Sequence, residues 1–197
     1  ISLEGLSQGD FLSRLLEYMK IGFTHILPKG LDHILFVLGL FLLSARWKPL
    51  LIQVTSFTLA HTVTLSLSMY GIASVPTIIV EPLIALSIVY VGLENVMTKE
   101  LKHWRPFLVF LFGLLHGLGF AGVLGEIGIP EPFFLESLIA FNLGVELGQL
   151  VVIGIAYLLV GWIFIRRSWY RMAVVIPGSL TISLIGVWWV YERVVHS

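Results

Sequence analysis

Cysteine is missing from all 197 residues of this chain. Its absence removes thiolate metal sites, disulfides and redox chemistry at sulfur, so any metal must be held by imidazole, carboxylate, amide or water. Charge is scarce too: 12% of residues are charged, and Lys+Arg and Asp+Glu balance at 12 each. No net field remains to attract nucleic acid, and none is expected as a partner. Apolar residues fill the space, at 57% of the chain and a mean hydropathy of +0.96. Several runs reach the ~20 residues that cross about 30 Å of hydrocarbon. The fold class is therefore all-α, a polytopic membrane helix bundle. The chain opens on Ile1 rather than Met, so an upstream segment or processing is expected.

The apolar pattern predicts six transmembrane helices, at residues 31–44, 49–71, 77–97, 106–124, 133–165 and 172–191. The first is short and is expected to recruit residues 26–30, where Pro28 and Gly30 break the chain. Residues 1–24 read as a separate interfacial amphipathic helix, and residues 25–197 as the transmembrane domain. Ser7 and Asp10 have the spacing of an N-cap signal. After them Phe11, Leu12, Leu15, Leu16 and Met19 fall on one helical face, and Ser13, Arg14, Glu17 and Lys20 on the other. The loops after spans one, three and five carry Arg46 and Lys48; Lys99, Lys102 and Arg105; then Arg166, Arg167 and Arg171. By the positive-inside rule those loops are cytoplasmic, which places both termini and the amphipathic helix on the outer side.

Against this background the polar residues inside the spans stand out. His33, His61 and His116 lie in apolar runs, together with Asp32, Glu81, Glu94, Glu136 and Glu146. A charged group at the centre of a membrane helix costs about 2.5–3.5 kcal/mol on insertion scales, so it persists where it pairs, faces a cavity or holds an ion. The expected topology brings Asp32, His33, His61, His116, Glu81 and Glu136 to the outer half of the bilayer. Convergence at one depth is what a single site requires.

Each motif has a functional and a plain reading. In HILPKGLDH, His25 precedes the first span and Asp32-His33 open it; imidazole with carboxylate suits a divalent transition metal. Asp32 also reads as a helix cap. In the second span Thr55, Thr58, Thr62 and Ser66 make a polar stripe with His61 at its edge, although such hydroxyls often bond back to their own helix. In LFGLLHGLGFAG, Gly113 and Gly117 are four apart, with Gly119, Ala121 and Gly122 following; small residues at this spacing let helices approach closely and offer a face for a homo-oligomer. In FNLGVELGQL, Asn142, Glu146 and Gln149 share one helical face within about 60°, opposite Gly144 and Gly148. Glu81-Pro82 reads as a first-turn pair, while Glu94, Glu136, His103 and His196 read as interfacial. The six tryptophans suit an interfacial belt.

These four motifs, HILPKGLDHILFVLGL, FTLAHTVTLSL, LLHGLGFAG and FNLGVELGQL, occur in an order that resembles the HupE/UreJ family of hydrogenase and urease accessory membrane proteins. The resemblance runs from about residue 22 over nearly all of the chain. It implies a multi-pass protein of the bacterial inner membrane, associated with nickel supply to metalloenzymes, and makes the outer side, with both termini, periplasmic. The chain is more loosely similar to nickel/cobalt permeases, whose histidine, short spacer and Asp-His fall on His25, Asp32 and His33; the spacer of six residues is longer here.

The leading expectation is a divalent transition metal, nickel or zinc, held by His33, His61, His116 and a carboxylate from Asp32 or Glu146, with His25 a further candidate. On that view the protein transports or delivers the metal across the bilayer. The alternative is an intramembrane zinc or iron enzyme of hydrolase type acting on a lipid or peptide, with Glu146 or Asp32 as general base. A third reading places heme between two histidines.

Overall fold

Proline sits at or just before the first turn of five helices, where its missing N–H costs nothing because first-turn donors lack intrahelical partners. Pro49, Pro76, Pro106, Pro132 and Pro177 fill these places. The structure, a computed structural model, describes residues 11–127 and 131–196 and, among these, the side chains of all but 121–127 and 131. The expected N-cap pair Ser7 and Asp10 lies outside the described residues. Seven helices follow in order: α1 (Phe11–Ile26), α2 (Leu31–Leu43), α3 (Trp47–Met69), α4 (Thr77–Met97), α5 (Arg105–Ile127), α6 (Phe134–Ala156) and α7 (Ile176–Val195). A π turn (Tyr157–Gly161) and one further turn (Trp162–Phe164) continue α6, and a second π turn (Arg171–Val175) leads into α7. The described residues contain no strand.

Four helices are long and apolar enough to cross a bilayer (Trp47–Met69, Thr77–Met97, Phe134–Phe164 and Arg171–Val195), or five if α1 and α2, bent 72° apart, form one broken span. The expected six spans differ from this at two places. At ~1.5 Å per residue, α2 rises only about 20 Å, short of the hydrocarbon thickness. In α5 the described apolar stretch covers Arg105–Phe120. Pro82 also lies inside α4 rather than in its first turn. The outside of the bundle exposes Leu59, Ile79, Phe107, Ile139, Leu143 and Leu158. In a water-soluble protein so much exposed apolar surface is a liability; against lipid tails it is the required surface.

The helices form three close pairs, α1 with α6, α3 with α5 and α4 with α7, and the short α2 stands among them, touching α3, α4, α6 and α7. Lipid tails are as apolar as leucine, so small residues and polar bonds hold such pairs together. In α1 with α6, a Cβ placed on Gly22 overlaps the Phe141 carbonyl, and one on Gly144 overlaps the Met19 carbonyl. This close approach decides which face of α1 packs. Tyr18, Gly22 and Ile26 are buried, while Phe11, Leu12 and Leu16, on the face with most apolar residues, stay exposed. Arg14 secures the start of α1 by an ion pair to Glu136 at 3.0 Å and by lying 3.8 Å over the Phe133 ring. The helix itself runs through Ile26, two residues beyond the expected boundary at residue 24.

At the far end of α2 a second polar cluster ties four helices. Arg105, fully buried, pairs with Glu94 at 3.5 Å and donates to the Asn95 amide oxygen at 3.3 Å. The Asn95 amide nitrogen donates to the Gly39 carbonyl at 2.7 Å and to Ser179 Oγ at 3.2 Å. Arg105 is thus a structural cation inside the bundle rather than a loop charge.

Candidate metal centre

Two histidines eight residues apart on a straight helix are about 12 Å apart along its axis. Here the break at residues 27–30 folds them together. Pro28 cannot continue the helix, and the chain turns with the Gly30 N–H donating to the Ile26 carbonyl at 3.0 Å. A Cβ on Gly30 overlaps the His25 carbonyl, so only glycine fits the turn. As a result His25, in the last turn of α1, and His33, in the first turn of α2, stand with ring centroids 4.8 Å apart.

Two more imidazoles arrive from the α3/α5 pair. One ligand nitrogen from each of His25, His33 and His61 lies within 4.8 Å of the other two. His116 from α5 places its ring 4.9 Å from that of His33. A tetrahedral ion with nitrogens at ~2.1 Å holds them about 3.4 Å apart, so the cluster is somewhat wider than such an ion requires, and small side-chain movements would close the difference.

The hydrogen bonds decide which nitrogens face the centre. His116 Nδ1 donates to the Phe112 carbonyl at 2.8 Å, which leaves Nε2 as a bare lone pair. His61 Nδ1 lies 3.1 Å from the Asn142 side-chain oxygen. Asn142 donates its amide nitrogen to the Leu138 carbonyl at 2.9 Å, so its oxygen accepts from His61 and again leaves Nε2 bare. His33 has no hydrogen bond on either nitrogen, and His25 none on Nε2. Five buried ring nitrogens therefore lack a partner: His25 Nε2, His33 Nδ1 and Nε2, His61 Nε2 and His116 Nε2. Each unmet buried polar group costs about 1–3 kcal/mol, and a bound cation removes that cost for the lone pairs it engages.

Aromatic rings wall the cluster. His25 lies 3.8 Å from the Phe120 ring centroid, and Phe57 lies 4.9 Å from His116 and 5.5 Å from His33. Phe120 stacks on Phe141 at 5.4 Å. A cavity of about 230 Å³ opens beside the histidines, lined by His25, His33, His116, Asp32, Glu81 and Arg193. Across it Arg193 Nη2 donates to Asp32 at 2.8 Å, and Nη1 donates to the Glu81 carbonyl at 3.0 Å.

The structure thus gathers His25, His33 and His61, with His116 against them, while the two candidate carboxylates have other partners. Asp32 is paired with Arg193. Glu146 accepts from Thr55 at 2.6 Å, about 9 Å along α3 from His61. The stripes of α3 and α6 interlock through three such bonds, His61 to Asn142, Thr55 to Glu146 and Thr58 to Gln149 at 3.1 Å. Sequence reasoning overlooked Arg193, whose signal was a lone basic residue within the last apolar run, WWVYERVV.

Replacing Asn142 with leucine tests the orienting role. Loss of the acceptor frees the His61 tautomer, and metal affinity is expected to fall 10–100-fold, as is usual for partners of ligating histidines. Competition titration with a chromogenic chelator measures it; unchanged affinity removes His61 from the ligand set.

A family model described as HupE / UreJ protein matches residues 4–193 of the chain. No curated protein and no solved structure gives a significant match.

Proposed function

Since the chain belongs to the HupE/UreJ family, we propose that it binds a divalent transition metal of the nickel class at His25, His33, His61 and His116 and passes it across or along the inner membrane. The observation that carries this reading is that one nitrogen from each of His25, His33 and His61 lies within 4.8 Å of the other two, with the His116 ring beside His33 and a buried, partnerless ring nitrogen on all four residues. Imidazole ligands suit nickel, zinc and cobalt alike. The ion enters from the cavity beside His25, where Asp32 offers the first carboxylate once Arg193 swings aside. The positive-inside pattern makes that entrance periplasmic.

Passage inward requires α3 and α6 to part, because their polar stripes are bonded to each other below His61. Thr55, Thr58, Glu146 and Gln149 then supply oxygens along the route. The enzymatic reading is less well supported: a metal hydrolase needs a free carboxylate base beside the ion, whereas Asp32 is held by Arg193 and Glu146 by Thr55.

Reconstituted protein supplies the test. A single nickel or zinc ion per chain is expected on elemental analysis, together with uptake of radioactive nickel into proteoliposomes. Binding without uptake rejects transport and leaves delivery; no bound metal rejects both.

A further inference from the structure

The end of α2 opposite His33 forms one wall of a second, larger cavity, of about 550 Å³. Arg46, Lys99 and Arg171 line it against one carboxylate, Glu100, with Leu42 and Val175 among its apolar walls. None of the three cations is in an ion pair among the described residues. Arg46 donates to Ser44 Oγ at 3.4 Å and Arg171 to the Val96 carbonyl at 3.0 Å, neutral partners that hold the side chains without cancelling their charge. Tyr170 also lines the cavity, is 7% exposed, and carries a buried hydroxyl with no hydrogen-bond partner.

This combination of excess positive charge and an unused buried donor selects a particular ligand. A phosphate oxygen accepts from a tyrosine hydroxyl and from several cations at once. The apolar walls, and the exposed Trp162, Ile163, Trp169 and Met172 on the flanking chain, add a second requirement. A free, strongly hydrated phosphate has no use for them; a phosphate that carries acyl chains does. Basic pockets among membrane helices are a known setting for such headgroups.

We infer that this cavity holds the headgroup of an anionic phospholipid, its phosphate neutralised by Arg46, Lys99 and Arg171 and bonded by the Tyr170 hydroxyl. The site is independent of the histidines and stands whether or not they bind metal.

Native mass spectrometry of the full chain, released from micelles containing phosphatidylglycerol, cardiolipin or phosphatidylcholine, tests it. Phosphatidylglycerol and cardiolipin are expected to remain bound in preference to phosphatidylcholine. Arg46→Ala and Lys99→Ala should each weaken retention about fivefold, the equivalent of about 1 kcal/mol for a basic residue near an anionic headgroup. Tyr170→Phe should weaken it without lowering thermal stability, because the hydroxyl has no partner to lose. Arg166→Ala, outside the cavity, should change nothing. Equal retention of phosphatidylcholine, full retention by the cavity variants, or an equal loss in Arg166→Ala overturns the inference. So does displacement of the lipid by millimolar inorganic phosphate, which identifies a free-anion site.

Discussion

His33→Leu is expected to abolish metal binding while leaving the metal-free protein at least as stable as before. The imidazole is 4% exposed and makes no hydrogen bond through either nitrogen. Without metal it is a buried polar group with nothing to bond, a condition that costs about 1–3 kcal/mol. Leucine is of similar bulk and suits the Phe57 wall, so the substitution removes that cost and leaves little void. With metal the balance reverses. Removing a ligand from the middle of the cluster should lower affinity by on the order of 100-fold or more, beyond the effect of losing an orienting partner. Calorimetric titration with Ni(II) and thermal unfolding of the metal-free protein read the two effects separately. Wild-type affinity in the variant rejects the four-imidazole centre; a fall of several kcal/mol in metal-free stability means that His33 has a structural role instead.

The second large effect is expected at Gly117, which lies against the turn of α3 that carries His61. A Cβ there overlaps the His61 carbonyl and Thr64 Oγ1, and neither can withdraw, since one is backbone and the other donates to the Leu114 carbonyl at 2.8 Å. Gly117→Val must push α3 and α5 apart, at a cost of about 3 kcal/mol or more. It also separates His61 from its neighbours on other helices, so metal binding should be lost with the stability. Gly154→Ala is the matched control. Beyond its chain neighbours and its own helical backbone, no atom lies within 4 Å of a Cβ at that position, and replacing a mid-helix glycine there should be neutral or stabilise by up to about 1 kcal/mol. Thermal unfolding in detergent distinguishes the two; equal behaviour removes the close α3/α5 contact from the account of the site.

The elements of this fold were legible to different degrees, for physical reasons. The helix limits were readable to within a few residues because proline, glycine and polar loops interrupt otherwise continuous apolar runs. His33, His61 and His116 were visible as expensive residues in those runs. The contact between His25 and His33 was not, because it depends on the direction of a bend, and no local pattern encodes direction. The packed face of α1 was also hidden. A count of apolar residues selects Phe11, Leu12 and Leu16, but in lipid the closest approach goes to Gly22. Asp32 and Arg193 are separated by 161 positions, so the partner that occupies this carboxylate could be found only in three dimensions. Glu146 illustrates the opposite problem: its stripe with Asn142 and Gln149 was plain, yet a stripe does not say whether it binds an ion or a neighbouring helix.

The shortness of α2 has an electrical consequence. A hollow meets each end of this helix, one beside His33 and one beside Leu42; with water or polar headgroups in both, the insulating layer along its axis would be only about 20 Å thick. The voltage drop across a membrane concentrates where the insulator is thinnest. A dication moving past α2 would therefore experience the full potential, worth about 4.6 kcal/mol per 100 mV for two charges, over a shorter path and along a steeper gradient than an ion crossing the bilayer elsewhere.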